Sequence, residues 1–182
     1  MQCISQRQAS NERFTAHAAL LYIGSMKKLQ LISIALLLVA CSSAPARQHT
    51  IQYNISDDQM NELVMYAVSL ADTPYHYGGN SANSGFDCSG FVGHVYRHSL
   101  DISMPRTSRE ISRIGKTVSQ SELSPGDLVF YHTSHASFSH VGIYVGDGKF
   151  VHSPRTGESV RTEQMQMSYW AKRYDGARRI RR

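Results

Sequence analysis

Cysteine is the scarcest informative residue in this chain, with three among 182 residues. Cys3 and Cys41 fall in an N-terminal region set apart below, so Cys88 stands alone in the remainder. A lone cysteine cannot close an internal disulfide, which excludes a disulfide-stapled scaffold and leaves a free thiol to explain. Long apolar runs are also missing. Only Leu29 to Val39 is almost continuously apolar, broken by Gln30 and Ser33, and it is well short of the ~20 residues a membrane helix needs. Internal repeats are absent. A strong charge of one sign is absent too, despite a formal net charge of +5. Residues 1–41 hold four of the 19 basic and one of the 14 acidic residues, leaving 15 against 13 for the rest. That near balance excludes the broad basic surface that nucleic-acid binding requires. Much of the remaining positive charge sits in the tail "KRYDGARRIRR", residues 172–182, which suits an anionic wall or membrane surface. At 41% apolar and 18% charged, the composition is that of a globular protein, and the length predicts one domain plus a tail.

The N-terminus reads as an export signal. "MKKLQLISIALLLVAC", Met26 to Cys41, has a two-lysine start, a short apolar core and small residues before cysteine. The ending "LVAC" resembles the lipobox of bacterial lipoproteins, in which the cysteine is acylated and becomes the new N-terminus. This implies Met26 as the initiator, residues 1–25 as an upstream misread start, 26–41 as the signal and Cys41 as the lipid anchor. Multiple acyl chains hold a protein stably on a membrane without a transmembrane helix. Ser42 follows, where sorting to the inner membrane would favour Asp, so the expected place is the outer membrane, facing the periplasm. An exported compartment favours disulfides, so an odd thiol there suggests reactivity; an inert buried cysteine is the bland alternative.

Residues 42–55 lack periodicity and are expected to be a tether; 56–182 form the domain. Ser56 and Gln59 make a capping box. Met60, Leu63, Val64, Ala67, Val68 and Ala71 then repeat on one helical face, with an end near Asp72 because Pro74 disfavours helix in the residue before it. "TPYHYGGNSANSGFD" is a loop by composition. A second helix is expected from about Cys88 to Ser99, with Phe91, Val92, Val95 and Tyr96 on its apolar side and Cys88 about 60° from Phe91. "PRTSREISRIG" predicts a short third helix with Gly115 as its C-cap. The period then changes to two. "GDLVFYH", "HVGIYVG" and "KFVHS" predict strands, "MSYWAKRY" a short helix, and "ARRIRR" a closing edge strand. Helices followed by an antiparallel sheet predict an α+β fold.

The thiolate is the nucleophilic form of cysteine, and a helix N-terminus or a nearby imidazole lowers the ordinary thiol pKa of about 8.5. Cys88 has the first by position, so its thiolate is expected to form well below that value. Eight histidines follow Cys41. His94 and His98 fall towards the solvent side of the second helix, His49 lies in the tether, and His132 and His135 lie in or beside a loop. His140 and His152 differ because each sits inside an apolar strand. A three-residue loop, Gly146-Asp147-Gly148, would pair 145 with 149 and put Gly148 in the left-handed conformation. His152 would then lie opposite Gly142 and diagonal to His140, roughly 7–8 Å away at the backbone. One sheet face would carry both imidazoles, with the second helix laying Cys88 against them.

"YHYGG", "GFDCSGFV", "MPRTS", "SPGDLVFY", "HVGIYVGDGKFVH" and "GARRI" together resemble the NlpC-type family of papain-like cell-wall endopeptidases, over about residues 56–182. The resemblance implies a papain-like α+β domain, N-terminal helices packed on a small antiparallel sheet. It implies hydrolysis of a peptide bond in peptidoglycan stems or cross-links. Cys88 would be the nucleophile, His140 the base and His152 the residue orienting that base, with Tyr75 near the oxyanion site. Asp87 and Ser89 either serve the helix start or touch substrate; Arg106 either binds a stem-peptide carboxylate or pairs within the fold. No cofactor and no metal are expected, the partner is peptidoglycan, and the protein is expected to be a monomer. The D-alanyl–diaminopimelate cross-link is favoured over the D-glutamyl–diaminopimelate bond. Three alternatives stay open: a zinc site on the thiol and histidines, a non-catalytic wall-binding lipoprotein, and an amidase or other acyl transfer on a related fold.

Overall fold

Ser56 opens the first helix, α1 (Asp57–Ser69), with both halves of the capping box formed. The computed structural model describes residues 54–134 and 136–180. Met60, Leu63 and Ala67 are buried, but Val68 is 40% exposed and Ala71 lies outside the helix, so the apolar face is narrower than its spacing predicts. The helix stops three residues before Asp72, which has a positive φ. The glycine-rich loop contains a two-stranded hairpin, β1 (Asn80–Ser81) and β2 (Gly85–Phe86). Next comes α2 (Cys88–Leu100), whose Phe91, Val92, Val95 and Tyr96 are fully buried as the wheel requires. Its first turn presses on the loop. A Cβ at Gly90 would overlap the carbonyl oxygen of Gly79.

Short α3 (Ser108–Ile111) has its own capping box from Thr107 and Glu110. Its C-cap is Ser112, not Gly115; Gly115 has φ +78 and leads into β3 (Lys116–Val118) instead. The rest of the chain supplies β4 (Leu128–Tyr131), β5 (His140–Gly146), β6 (Lys149–His152), β7 (Arg161–Gln164), α4 (Ser168–Ala171) and β8 (Tyr174–Arg179). Six strands form one antiparallel sheet in the order β3-β8-β4-β5-β6-β7. The closing strand β8 is therefore not an edge. It pairs with β3 on one side and β4 on the other, because the last segment returns to cover the open side of β4.

Both faces of the sheet are covered, which is why β4 reads as the unbroken apolar run "LVFY" and not as an alternation. Leu128, Phe130, Val141, Ile143 and Val151 face α1 and α2. Val129, Tyr131 and Phe150 face the other way, into a smaller cluster with Trp170 and Met165. No helix among the described residues is long and apolar enough to cross a membrane. The signal, Cys41 and residues 42–53 of the expected tether lie outside the described residues; Ile55, expected in the tether, is half-buried against the core.

The β5–β6 turn reaches the expected register by a different route. Asp147 (φ +51) and Gly148 (φ +68) form a two-residue turn, with Gly146 paired to Lys149. That loop alone would put the two histidines on opposite faces. A bulge between Tyr144 and Gly146 then adds one residue to β5, and beyond it Tyr144 pairs with Phe150 and Ile143 with Val151. The bulge does what the three-residue loop was expected to do, and His140 and His152 share a face.

Candidate active site

His140 is the first residue of β5 and His152 the last of β6. Both are buried, at 3% and 0% exposure. Their rings stand almost perpendicular, at 88°, and His140 Nε2 lies 2.7 Å from His152 Nδ1. One nitrogen of His140 is therefore committed to His152, and only Nδ1 is left for another partner. Trp170 stacks along His140 at 26° and meets His152 edge-on at 87°, with centroids 5.6 and 5.0 Å apart.

Cys88 opens α2, and Asp87 is its N-cap. Helix α2 packs on the sheet face opposite the two imidazoles, so it does not lie over them as the sequence leads one to expect. The thiol instead meets the sheet at the start of β5, where the backbone N–H of Val141, next to His140, points at the sulfur.

The electrostatics reverse the sequence expectation for the thiol. Burial, then the Asp87 charge, pushes Cys88 up to about 11, and the backbone N–H groups of Val141, Ser89 and Cys88 oppose this only in part. The helix-start effect is real but smaller than the loss of solvent. Burial, then His152, holds His140 well below the usual imidazole range. The resting pair is a neutral thiol and a neutral imidazole, and a neutral imidazole can accept a proton.

Tyr75 is half-buried; burial and then the proximity of Cys88 raise its phenol above the usual value. Its backbone bridges Phe86, just before the Asp87–Cys88 helix start. The Asp87 carboxylate is fully engaged. It accepts from Gly90 N at 2.7 Å, Gly78 N at 3.1 Å and Ser89 Oγ at 3.2 Å, and takes a bidentate fork from Arg106 at 2.9 and 2.6 Å. Burial would raise this carboxyl, but Arg106 and the Gly90 N–H hold it below the usual range. Arg106 also donates to Ser89 Oγ at 2.8 Å. The polar atoms of Asp87, Ser89 and Arg106 thus serve one another at the helix start.

The other histidines stand apart. His98 is exposed and stacks on Tyr66; His94 is half-buried, 2.9 Å from the Tyr66 hydroxyl. His132 pairs with Asp175 at 2.8 Å. His135 and His49 lie outside the described residues. Among the described residues no three His, Cys, Asp or Glu side chains are grouped as a metal would need. Sequence reasoning missed Glu163 and Trp170, which back the histidine pair. The strand of Glu163, "RTEQ", carries no apolar alternation, and Trp170 lies on the short α4 beyond it; the one available signal is that Trp170 is the only tryptophan in the chain.

A helix-borne thiol beside an antiparallel sheet whose neighbouring strands β5 and β6 each carry a buried imidazole makes this an α+β domain with a candidate cysteine–histidine site. Residues 72–179 match the NlpC/P60 family, and the chain belongs to that family. It is 44% identical over 110 residues to murein DD-endopeptidase MepH of Escherichia coli, covering 59% of this chain and 41% of that one. It is 33% identical over 177 residues to the E. coli protein named murein DD-endopeptidase MepS/murein LD-carboxypeptidase, covering 85% of this chain and 92% of that one. The fold is similar to the crystal structure of an NlpC/P60 family protein from Bacillus cereus, with TM-score 0.62 and 37% identity over 66% of this chain and 40% of that one. The chain thus spans less than half of MepH and of the B. cereus protein, and nearly all of MepS.

Proposed function

We propose that this protein is a cysteine peptidase that hydrolyses an amide bond in peptidoglycan peptides. The observation that carries the reading is the buried His140 Nε2–His152 Nδ1 contact of 2.7 Å, which leaves His140 Nδ1 as the base for the adjacent helix-start thiol. Cys88 Sγ attacks the carbonyl carbon as its proton passes to His140 Nδ1. The C–N bond then breaks, the leaving amine takes that proton, and a thioester remains. Water attacks the thioester, giving a proton to His140; the carboxylic acid leaves and the thiol is restored. His152 holds the ring of His140 and stabilises its charged form. The backbone N–H at the helix start and the hydroxyl of Tyr75 are the donors for the oxyanion. With both partners neutral at rest, the first proton transfer accompanies attack and does not precede it.

The names of the similar E. coli proteins favour the D-alanyl–diaminopimelate cross-link over the D-glutamyl–diaminopimelate bond. "LVAC" and Ser42 support a Cys41 lipid anchor on the outer membrane, with residues 42–55 as tether and the domain in the periplasm beside its substrate. The deciding experiment is mass spectrometry of defined cross-linked wall fragments incubated with the protein or with Cys88→Ala. Cleavage at the cross-link by the parent alone supports the reading; equal cleavage by both overturns the thiol mechanism. For the anchor, Cys41→Ala is expected to leave the membrane fraction or to stay unprocessed. A processed, membrane-bound variant would refute it.

A further inference from the structure

The far nitrogen of His152, Nε2, is completely buried and has no hydrogen-bond partner among the described residues. The polar atom it faces is Oε1 of Glu163, 3.8 Å away. That is too long for a hydrogen bond but close for a charge contact. Glu163 is held from two other sides: Arg161 Nε donates to Oε1 at 2.6 Å and Trp170 Nε1 donates to Oε2. The carboxylate cannot turn away without breaking both.

We propose that Glu163 is a positioning residue that selects the tautomer of His152 and, through it, the one tautomer of His140 able to act as a base. This rests on the reading of His140 as the base for Cys88. A neutral imidazole has one donor and one acceptor nitrogen, so the His140–His152 contact admits two arrangements. In the first, His152 carries its proton on Nε2, towards Glu163. Its Nδ1 accepts from His140 Nε2–H, and His140 Nδ1 is a free lone pair. In the second, His152 carries its proton on Nδ1 and donates to His140. His140 then has its proton on Nδ1 and cannot take one from the thiol. The second arrangement also turns the Nε2 lone pair of a fully buried ring towards an anionic carboxylate 3.8 Å away. Glu163 therefore disfavours the inactive arrangement.

The charge has a second effect. The groups acting on His152 are Glu163 and Arg161 of β7, and Glu158 before it; those acting on His140 are His152 and Glu163; those in electrostatic contact with Cys88 are Asp87, Tyr75 and Arg106. Glu163 stabilises the imidazolium that forms when His140 takes the thiol proton. Its removal makes protonation of the pair harder, so the acid limb of kcat/KM moves to lower pH.

The test uses the full chain with 15N-labelled histidine, and three proteins: parent, Glu163→Gln and Glu163→Ala. Nitrogen spectra are expected to show both rings protonated on Nε2 in the parent. The amide of Gln has a single oxygen, which can take the place of Oε1 before His152 and Arg161 while its NH2 gives up the Trp170 bond, so this variant keeps the tautomer and more activity than Ala, while its acid limb moves down. Ala loses the fixed tautomer and on the order of 10- to 100-fold in kcat/KM, the scale for loss of an outer hydrogen-bonding partner. A His152 ring protonated on Nδ1 in the parent, or an unchanged spectrum in Glu163→Ala, overturns the proposal. So does loss in both variants with an unmoved acid limb, which marks a merely structural role. The spectra do not depend on turnover. A Cys88→Ala variant that stayed active would sink the thiol mechanism and leave the Glu163 result standing on its own.

Discussion

A Cβ placed on Gly142 would lie 3.2 Å from the Cβ of His152 and 2.7 Å from Cδ2 of Phe150. Between the two histidines on the sheet face, β5 thus has no room for any side chain. Gly142→Ala is expected to cost about 1–3 kcal/mol through overpacking, since the backbone oxygen of Val151, at 2.9 Å, blocks relief on one side. Because the crowded side chains are the Phe150 ring and the His152 Cβ, kcat/KM should fall further than the folded fraction explains. Thermal unfolding and steady-state hydrolysis measured together check this; unchanged activity in a destabilised protein would count against the geometry.

Alkylation of Cys88 is expected to be slow near neutral pH and to accelerate with rising pH towards about 11, because burial and Asp87 keep the folded thiol protonated. Iodoacetamide rates against pH on the folded protein test it. A rate plateau below pH 8 would show a preformed thiolate and refute the neutral resting pair.

Acid should destabilise the protein through its histidine pair. Both folded imidazoles titrate below their usual value, chiefly through burial. The unfolded chain then binds more protons once pH falls below about 6.5, so stability is full above that value and is lost as pH drops towards the folded values. Glu163, held down to about 2 by His152 first, adds loss in the same direction below the ordinary carboxyl range. Denaturant unfolding from pH 8 to pH 5 checks the sign, and a His140→Ala, His152→Ala double variant should show a shallower slope over that window.

The two histidines should respond unequally to substitution. His140→Ala is expected to cost on the order of 10⁴- to 10⁶-fold in kcat, close to Cys88→Ala, with little further loss in the double variant, since the groups act as a unit. His152 acts through Nδ1, and the amide oxygen of Asn occupies nearly the same place. His152→Asn should retain more activity than His152→Ala, with Gln helped less. No amide at position 140 should rescue anything. An active His140→Gln beside a dead His152→Asn would reverse the two roles.

Breaking the bidentate Arg106–Asp87 pair should test whether it is structural. Arg106 is 47% exposed at its side chain, so solvent weakens the pair. Arg106→Ala is expected to cost about 1 kcal/mol of stability by denaturant unfolding. A loss confined to substrate KM, with stability unchanged, would instead give the arginine to the substrate.

What the sequence by itself determined was local. The Ser56–Gln59 capping box, the buried stripe Phe91-Val92-Val95-Tyr96 and the strands around "LVFY" and "HVGIYVG" rest on side chains within a few residues of one another. The likeness to the NlpC/P60 family was carried by motifs that are themselves short. Even the shared face of His140 and His152 could be argued locally, because one hairpin decides it, although a bulge and not the loop set the register. Tertiary structure alone decided the rest. It put β8 between β3 and β4, placed α2 on the sheet face away from the imidazoles, and brought the polar strand β7 beside β6 and the short α4 against that face, so that Glu163 and Trp170 back the histidine pair. It also reversed the thiol's titration. The charge at a helix start is a property of the chain segment, but the loss of solvent around Cys88 comes from elements distant in sequence, and at this site the loss of solvent is the larger effect.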